Sequence, residues 1–351
     1  MRGRKRSLGR GRRAANSSSG IRSAARRLRP AGNTVIWPSR KNMVDYQPTK
    51  RRALLFLNPR SRSGGNRAAD GAVKQLEAGG FILTHGLCAQ SADMTREVHR
   101  LAHEVDLVIV GGGDGTVNAV LKGVLETGLP LGILPFGTAN DLARTLGLPG
   151  EPAAAVAVIV AGCTRRIDVG QVNDQFFVNV ASMGLSVELA RRMTGNLKRH
   201  LGRLSYPLAA LKTVFYTRPF TAEVASADRT IRLHSLQIAV GNGVFYGGGM
   251  AVYEAAAIDD QCLDFYSVEP RRFWQWPLFL TAFRRGRNRN LVGMRAFCSP
   301  GPLEIRTDPP LPVNTDGEIT TMTPARFNLL PRALSVFVPA GDQRLRAALA
   351  N

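Results

Sequence analysis

The chain has 351 residues, 44% of them hydrophobic, which is enough for about two domains with cores of their own. Its net charge of +21 is concentrated at one end: residues 1–52 hold sixteen Lys/Arg and one acid, Asp45, so the remainder carries only +6. This excludes a uniformly basic nucleic-acid-binding body. The longest purely apolar run, Ala153–Ala161, is also far short of the roughly 20 residues of a membrane-spanning helix.

Residues 1–50 are rich in Arg, Ser, Ala and Gly, lack apolar periodicity, and are predicted to form a disordered basic tail. The composition suits a targeting segment or an upstream extension of the reading frame. Met43 stands close to where ordered sequence begins and is favoured as the functional start. No apolar stretch follows the basic beginning, as a secretory signal requires.

Ordered sequence starts at Ala53–Leu57, a buried strand ending in Asn58-Pro59. Helices are predicted over Arg67–Glu77, Met94–Glu104 and Val117–Glu126, alternating with strands at Phe81–Leu87, Asp106–Val110 and Leu131–Leu134. That alternation predicts a parallel sheet covered by helices. A further helix, Ala153–Ala161, closes this nucleotide-binding α/β domain, placed at 51–165. From 166 to 339 short strands dominate: Arg166–Val172, Gln175–Val180, Phe220–Val224, Ile231–Val240, Leu263–Val268, Leu303–Arg306 and Ser335–Val338. They predict a mostly antiparallel second domain with helical insertions near Val187–Tyr216 and Phe273–Phe283. Residues 340–351 are a terminal segment expected to return to the first domain.

The four cysteines, Cys88, Cys163, Cys262 and Cys298, lie far apart in sequence. They suggest neither a metal or redox pair nor a disulfide framework, so a reducing, cytoplasmic setting is expected. His99 and His103 are four apart on a predicted helix, but no third ligand accompanies them, and Arg100 and Glu104 mark an exposed face.

Three stretches carry chemistry. Val108–Asn118 reads VIVGGGDGTVN, a buried strand running through glycines into a helix. Its Gly112, Gly113, Gly115, Thr116 and Asn118 suit a phosphate cradle at a helix N-terminus. Asp114 cannot stabilise a phosphate itself and is assigned to a metal ion or to the reacting hydroxyl. The alternative is a tight turn with Asp114 as a cap. Leu131–Asp141 reads LGILPFGTAND, a second strand ending in Gly137, Thr138 and Asn140. Both loops then converge beyond the carboxyl ends of parallel strands, where open α/β sheets bind ligands. Val313–Glu318 reads VNTDGE, taken alone an Asp-Gly hairpin turn.

In this order the three stretches resemble the diacylglycerol kinase catalytic family, which includes bacterial lipid kinases and the sphingosine and ceramide kinases. Asn58-Pro59 with Gly64-Gly65, Gly241-Asn242-Gly243 with Tyr246–Met250, and Asp259-Asp260 with Leu263-Asp264 add to the likeness, which spans roughly Arg52 to Ala340. The resemblance implies an NAD kinase-like α/β domain joined to a β domain, with ATP and Mg²⁺ used in the cleft between them. Glu318 is then the general base toward a lipid hydroxyl, and Asp114 works with Mg²⁺. Asn58, Gly113, Gly115, Thr116 and Thr138 contact ATP. A structural Mg²⁺ site is implied at Asp260 with backbone oxygens near Ala257 and Cys262. Gln261 and Cys262 depart from the family's Gly and Leu there, and Cys88 falls near a position where relatives have a hydroxyl residue.

The expected function is phosphorylation of a lipid alcohol, such as diacylglycerol or a sphingoid base, in phospholipid metabolism. The acceptor surface is the membrane, approached peripherally through the Trp- and Arg-rich stretch Phe273–Arg289. No specific nucleic acid is expected, and the oligomeric state stays open. Two other readings remain: a kinase of a soluble metabolite, like NAD kinase, and a nucleic-acid-binding protein on a degenerate kinase fold.

Overall fold

In the computed structural model the described residues are 50–58, 65–87, 91–192, 218–242, 245–246, 250–251, 257–269 and 294–341. Contacts divide the chain between Gln47 and Pro48, and every described residue belongs to the unit that begins at Pro48.

That unit opens with β1 (Arg51–Leu57), α1 (Gly65–Ala78), β2 (Phe81–His85), α2 (Ser91–Leu101), β3 (Leu107–Gly112), α3 (Asp114–Thr127) and β4 (Leu131–Pro135). The four strands are parallel, in the order β2-β1-β3-β4. β3 and β4 are buried along their whole length, and β1 through Ala53–Phe56. Unbroken apolar runs are what a central parallel strand with helices on both faces requires. Edge strand β2 is mostly exposed. Val117, Val120, Leu121 and Val124 form the apolar stripe that seats α3 on the sheet.

Two helices follow, the one-turn α4 (Asp141–Thr145) and α5 (Pro152–Ala161). Proline at the start of α5 replaces an N–H that would have no helical partner. The chain continues through β5 (Thr164–Val172), β6 (Gln175–Phe177), β7 (Val180–Gly184), α6 (Leu185–Arg192), β8 (Phe220–Ala225), β9 (Thr230–Ser235), β10 (Gln237–Gly241), β11 (Phe245–Tyr246) and β12 (Met250–Ala251). It ends with β13 (Leu263–Val268), β14 (Met294–Ser299), β15 (Leu303–Asp308), β16 (Pro312–Thr315), β17 (Glu318–Met322) and the 13-residue β18 (Ala325–Phe337).

β18 ties the halves together. Its far end lies parallel to β4, with Val336 opposite Leu131, while its length pairs antiparallel with β5 and β15. A ten-stranded sheet results, antiparallel beyond β18. A second, antiparallel sheet has the order β14-β13-β10-β7-β16-β17. Alternating residues of the two sheets, among them Met183, Val240, Phe265, Val224, Ile305 and Phe327, meet in one core. The expected architecture, a parallel α/β part joined to an antiparallel β part, is the one observed.

Three local differences have physical causes. Gln175–Val180 is not one strand: the Asp316 carboxylate takes the N–H groups of Val178, Asn179 and Val180, which interrupts the ladder between β6 and β7. Ile231–Val240 is two strands in different sheets, turned at Leu236, where the Ser235 hydroxyl donates to the carbonyls of Gln237 and Val268. Ser335–Val338 is the end of a strand that began at Ala325; Pro331 and the left-handed Arg332 (φ 50°) form an irregularity that hides the continuity. Of the predicted insertions, α6 is described. Residues 193–217 and 270–293 lie outside the described residues, as do Cys88, the tail through residue 49 and residues 342–351.

The cysteine reading needs correction. Cys262 and Cys298 are joined as a disulfide with Cα atoms 5.9 Å apart, across a sequence separation of 36. The antiparallel register of β13 and β14 brings them together, and no sequence spacing announces such a pairing. His99 bonds Glu126 (2.8 Å) on the exposed face expected of it.

Candidate active site

The carboxyl ends of β1, β3 and β4 lie side by side, and the loops leaving them form the site. At β1, the Asn58 N–H donates to the Gly111 carbonyl (2.9 Å), and its Nδ2 donates to Thr116 Oγ1 (3.2 Å). The first loop is thereby pinned to the start of α3. At β4, the Phe136 and Gly137 N–H groups donate to the Gly112 carbonyl at 3.0 and 3.1 Å. Gly113 and Gly137 then approach backbone to backbone: a Cβ on Gly113 would stand 3.2 Å from Gly137 Cα. A Cβ on Gly137 would land on Gly113 Cα and lie 2.5 Å from Asn140 Oδ1. Only a residue without a side chain fits there. Gly137→Ala is expected to push the loops apart and destabilise the fold by about 1–3 kcal/mol. Urea unfolding measures this, and an unchanged midpoint would refute the contact's role.

Asn140 sits in the left-handed region (φ 50°, ψ 48°), and its Nδ2 donates to the Gly137 carbonyl at 2.9 Å. Its Oδ1 is buried without a protein partner. Asn140 lines a space of about 10 Å³ between the two loops, beside Gly113 and Asp114, room for about one water. Thr116 is buried, Asn118 half-buried, and Thr138 exposed in the second loop.

Asp114 opens α3 and accepts the Leu142 N–H (3.2 Å) from α4. Burial raises its pKa, and the Asp141 charge adds to this, against backbone N–H groups that favour the charged form. The third loop enters from the other sheet. Asp316 and Gly317, both left-handed (φ 49° and 103°), make a two-residue turn between Thr315 and Glu318. Asn314 Oδ1 accepts the Gly317 N–H (2.9 Å) and fixes it. The turn carries Glu318, whose Oε1 lies 3.7 Å from where a Gly115 Cβ would be. A carboxylate on the antiparallel sheet therefore faces the glycine-rich loop of the parallel one.

Asp316 accepts three backbone N–H groups, from Val178 (2.8 Å), Asn179 (3.0 Å) and Val180 (2.9 Å). Those bonds favour its charged form, but burial outweighs them, and with the Asp114 charge it pushes the pKa up to about 6. The folded state thus holds this proton up to a higher pH than the unfolded chain does. Asp316's contribution to stability is full below the ordinary aspartate pKa of about 4 and is lost as pH rises through about 6. Its carboxyl carbon should titrate near pH 6 by NMR, and lower in Asp114→Asn, where a like charge is gone. A midpoint that does not move would show that the two charges do not interact.

The Asp260 loop lies apart from this cluster. Asp260 accepts the N–H groups of Ala257 and Cys262, both at 3.0 Å, and the Ala257 carbonyl accepts the Asp260 N–H (3.3 Å). The N–H groups of Ala257 and Cys262 thus meet the carboxylate. Burial raises the pKa of Asp260, with Asp168 and Asp259 adding to it. Asp168 is fully buried. It accepts the N–H of Gln261 and that of Arg332, both at 2.7 Å, and so joins the loop to the irregularity in β18. Arg165 pairs with Asp259 at 2.7 Å.

The match to the diacylglycerol kinase catalytic domain model covers residues 52–172, and the match to the YegS C-terminal NAD kinase beta sandwich-like domain covers residues 179–338. A protein of Chromohalobacter salexigens named "Probable lipid kinase YegS-like" is 34% identical over 78% of this chain and 89% of its own. The chain belongs to the diacylglycerol kinase catalytic-domain family. A diacylglycerol kinase of Bacillus subtilis is 28% identical over 82% of this chain and 97% of its own. The crystal structure of a candidate diacylglycerol kinase from Bacillus anthracis superposes with a TM-score of 0.71 at 26% identity, over 83% of this chain and 98% of the other.

Within this kinase, Asn58, Gly112, Gly113, Asp114, Gly115, Thr116, Gly137, Asn140 and Glu318 come together. Asp260, Ala257 and Cys262 form a second locus. Among the described residues no group of three or more His, Cys, Asp or Glu is arranged to hold a metal. Asp114 with Asp141 nonetheless fits Mg²⁺ chemically: both are hard oxygen donors, and a cation would offset the burial and the Asp141 charge that together raise Asp114. Sequence reasoning missed Asp141, Asp168 and Asp316 as individual residues. An acid inside the apolar strand Ile167–Val169 was the available signal, since a buried charge demands partners.

Proposed function

We propose that this kinase transfers the γ-phosphate of ATP to the hydroxyl of a lipid, diacylglycerol or a related lipid alcohol. The observation that carries the reading is the approach of Glu318 to the loop at Gly115. A base on one sheet faces a phosphate cradle on the other, so donor and acceptor meet in a cleft. The loop N–H groups and the start of α3 favour the phosphates. Glu318 takes the hydroxyl proton as the acceptor oxygen bonds to phosphorus and the bond to the ADP oxygen breaks. Mg²⁺, held by Asp114 with Asp141, would supply charge neutralisation on the phosphates. Hydrogen-bonding the Asp260 loop to the β core keeps this second locus in place.

Radiolabelled ATP incubated with a total lipid extract, and separately with NAD, tests the reading. Label in a chloroform-soluble product supports it; label in NADP alone would favour the soluble-metabolite kinase. No described helix is long and apolar enough to cross a membrane. Phe273–Arg289, with Trp274, Trp276, Arg284 and Arg285, lies outside the described residues and is the proposed contact. Trp favours the interface, and each arginine adds about 1 kcal/mol on an anionic surface. Replacing both Trp by Ala and both Arg by Gln should reduce sedimentation with anionic vesicles. Unchanged sedimentation of the folded variant would move the contact elsewhere.

A further inference from the structure

Cys262 and Cys298 occupy a place with consequences for the Asp260 loop. Cys262 immediately precedes β13, and Cys298 lies in β14, the edge strand of the antiparallel sheet. Their Cα separation of 5.9 Å is that of an ordinary disulfide. The two sulfurs differ in access: Cys262 is buried at 7% exposure, whereas Cys298 is exposed. Within the loop, the Cys262 N–H holds Asp260 Oδ1, and Gln261, left-handed at φ 58°, holds buried Asp168. The disulfide therefore fastens one end of a strained, acid-bearing loop to an edge strand.

We propose that Cys262–Cys298 is a thiol–disulfide exchange site for low-molecular-weight thiols and disulfides of the glutathione class, and that its state sets how firmly the Asp260 loop is held. In the opening direction a thiolate attacks Cys298 Sγ, the sulfur open to solvent. The Cys262–Cys298 bond breaks, and Cys262 leaves as a thiolate that takes a proton from water. A second thiolate attacks the small-molecule sulfur of the mixed disulfide and releases Cys298 and the oxidised small molecule. Two thiols are oxidised and one protein disulfide is reduced. Closure is the reverse, with the small-molecule disulfide as oxidant. The closed bond restrains the Cys262 end of the loop. The open form keeps the loop's hydrogen bonds to Asp260 and Asp168 but loses the covalent tether to β14.

The experiment does not depend on the substrate of the kinase. The full chain is equilibrated in oxidised glutathione or in dithiothreitol, acid-quenched and alkylated, and the modified cysteines are located by mass spectrometry. Cys262 and Cys298 should be protected in the first buffer and both alkylated in the second. In Cys262→Ser, glutathione should add to Cys298; in Cys298→Ser, Cys262 should remain largely unmodified. Hydrogen exchange at the Ala257 and Cys262 amides should be at least about tenfold faster in the reduced protein. Cys298→Ser should show the fast rate in both buffers. Free thiols at both positions in oxidised glutathione, preferential adduct formation on Cys262, or equal exchange rates in the two states would each overturn the proposal.

Discussion

Glu318→Gln is expected to lower kcat by about 10²- to 10⁴-fold, the usual contribution of a positioned general base. ATP affinity should change little. Glu318 is exposed at the tip of a hairpin, and its neighbours Asp316 and Gly317 define the turn without it. The amide keeps the size of the side chain but cannot accept the proton. The loss should therefore appear in kcat rather than in folding or in the KM for ATP. Single-turnover kinetics with radiolabelled ATP and micellar lipid would measure it. A variant with near-normal turnover would show that the proton leaves by another route.

Asp168→Ala is expected to destabilise the folded chain by about 2–5 kcal/mol. The fully buried carboxylate is the acceptor for the N–H groups of Gln261 and Arg332. Removing it strands two part-buried donors, each costing up to about 1–3 kcal/mol. It also releases two non-glycine residues from left-handed conformations (φ 58° and 50°) that need a partner to hold them. The effect should reach beyond stability. The Gln261 side of the break is the Asp260 loop, and the Arg332 side is the strand that joins β4 to β15. Urea unfolding of wild type and variant gives the difference. A shift below about 0.5 kcal/mol, typical of surface changes, would mean that water replaces the carboxylate.

Much of the architecture was legible because burial on both faces of a sheet writes a simple pattern. Leu54-Leu55-Phe56, Val108-Ile109-Val110 and Ile133-Leu134 are apolar without alternation, and each became a central parallel strand. The glycine-rich ends of β3 and β4 marked where a backbone must approach closely, and Gly113 and Gly137 do so. The pairing of those loops with Asp316–Glu318 was legible only through family resemblance. The 176 residues between Asp141 and Glu318 carry no local sign that the turn will return to Gly115.

Local chemistry alone commits the chain to apolar strands, glycine loops, a left-handed Asp-Gly turn and a charge concentrated in the first 52 residues. Where distant groups meet follows from packing across the sheets. Asp316 breaks a strand 136 residues away by taking its N–H groups. Asp168 holds backbone at Gln261 and Arg332, and Cys262 reaches Cys298 across paired strands. Each of these contacts depends on strand register, and register is fixed by the burial of whole faces rather than by neighbours in the chain.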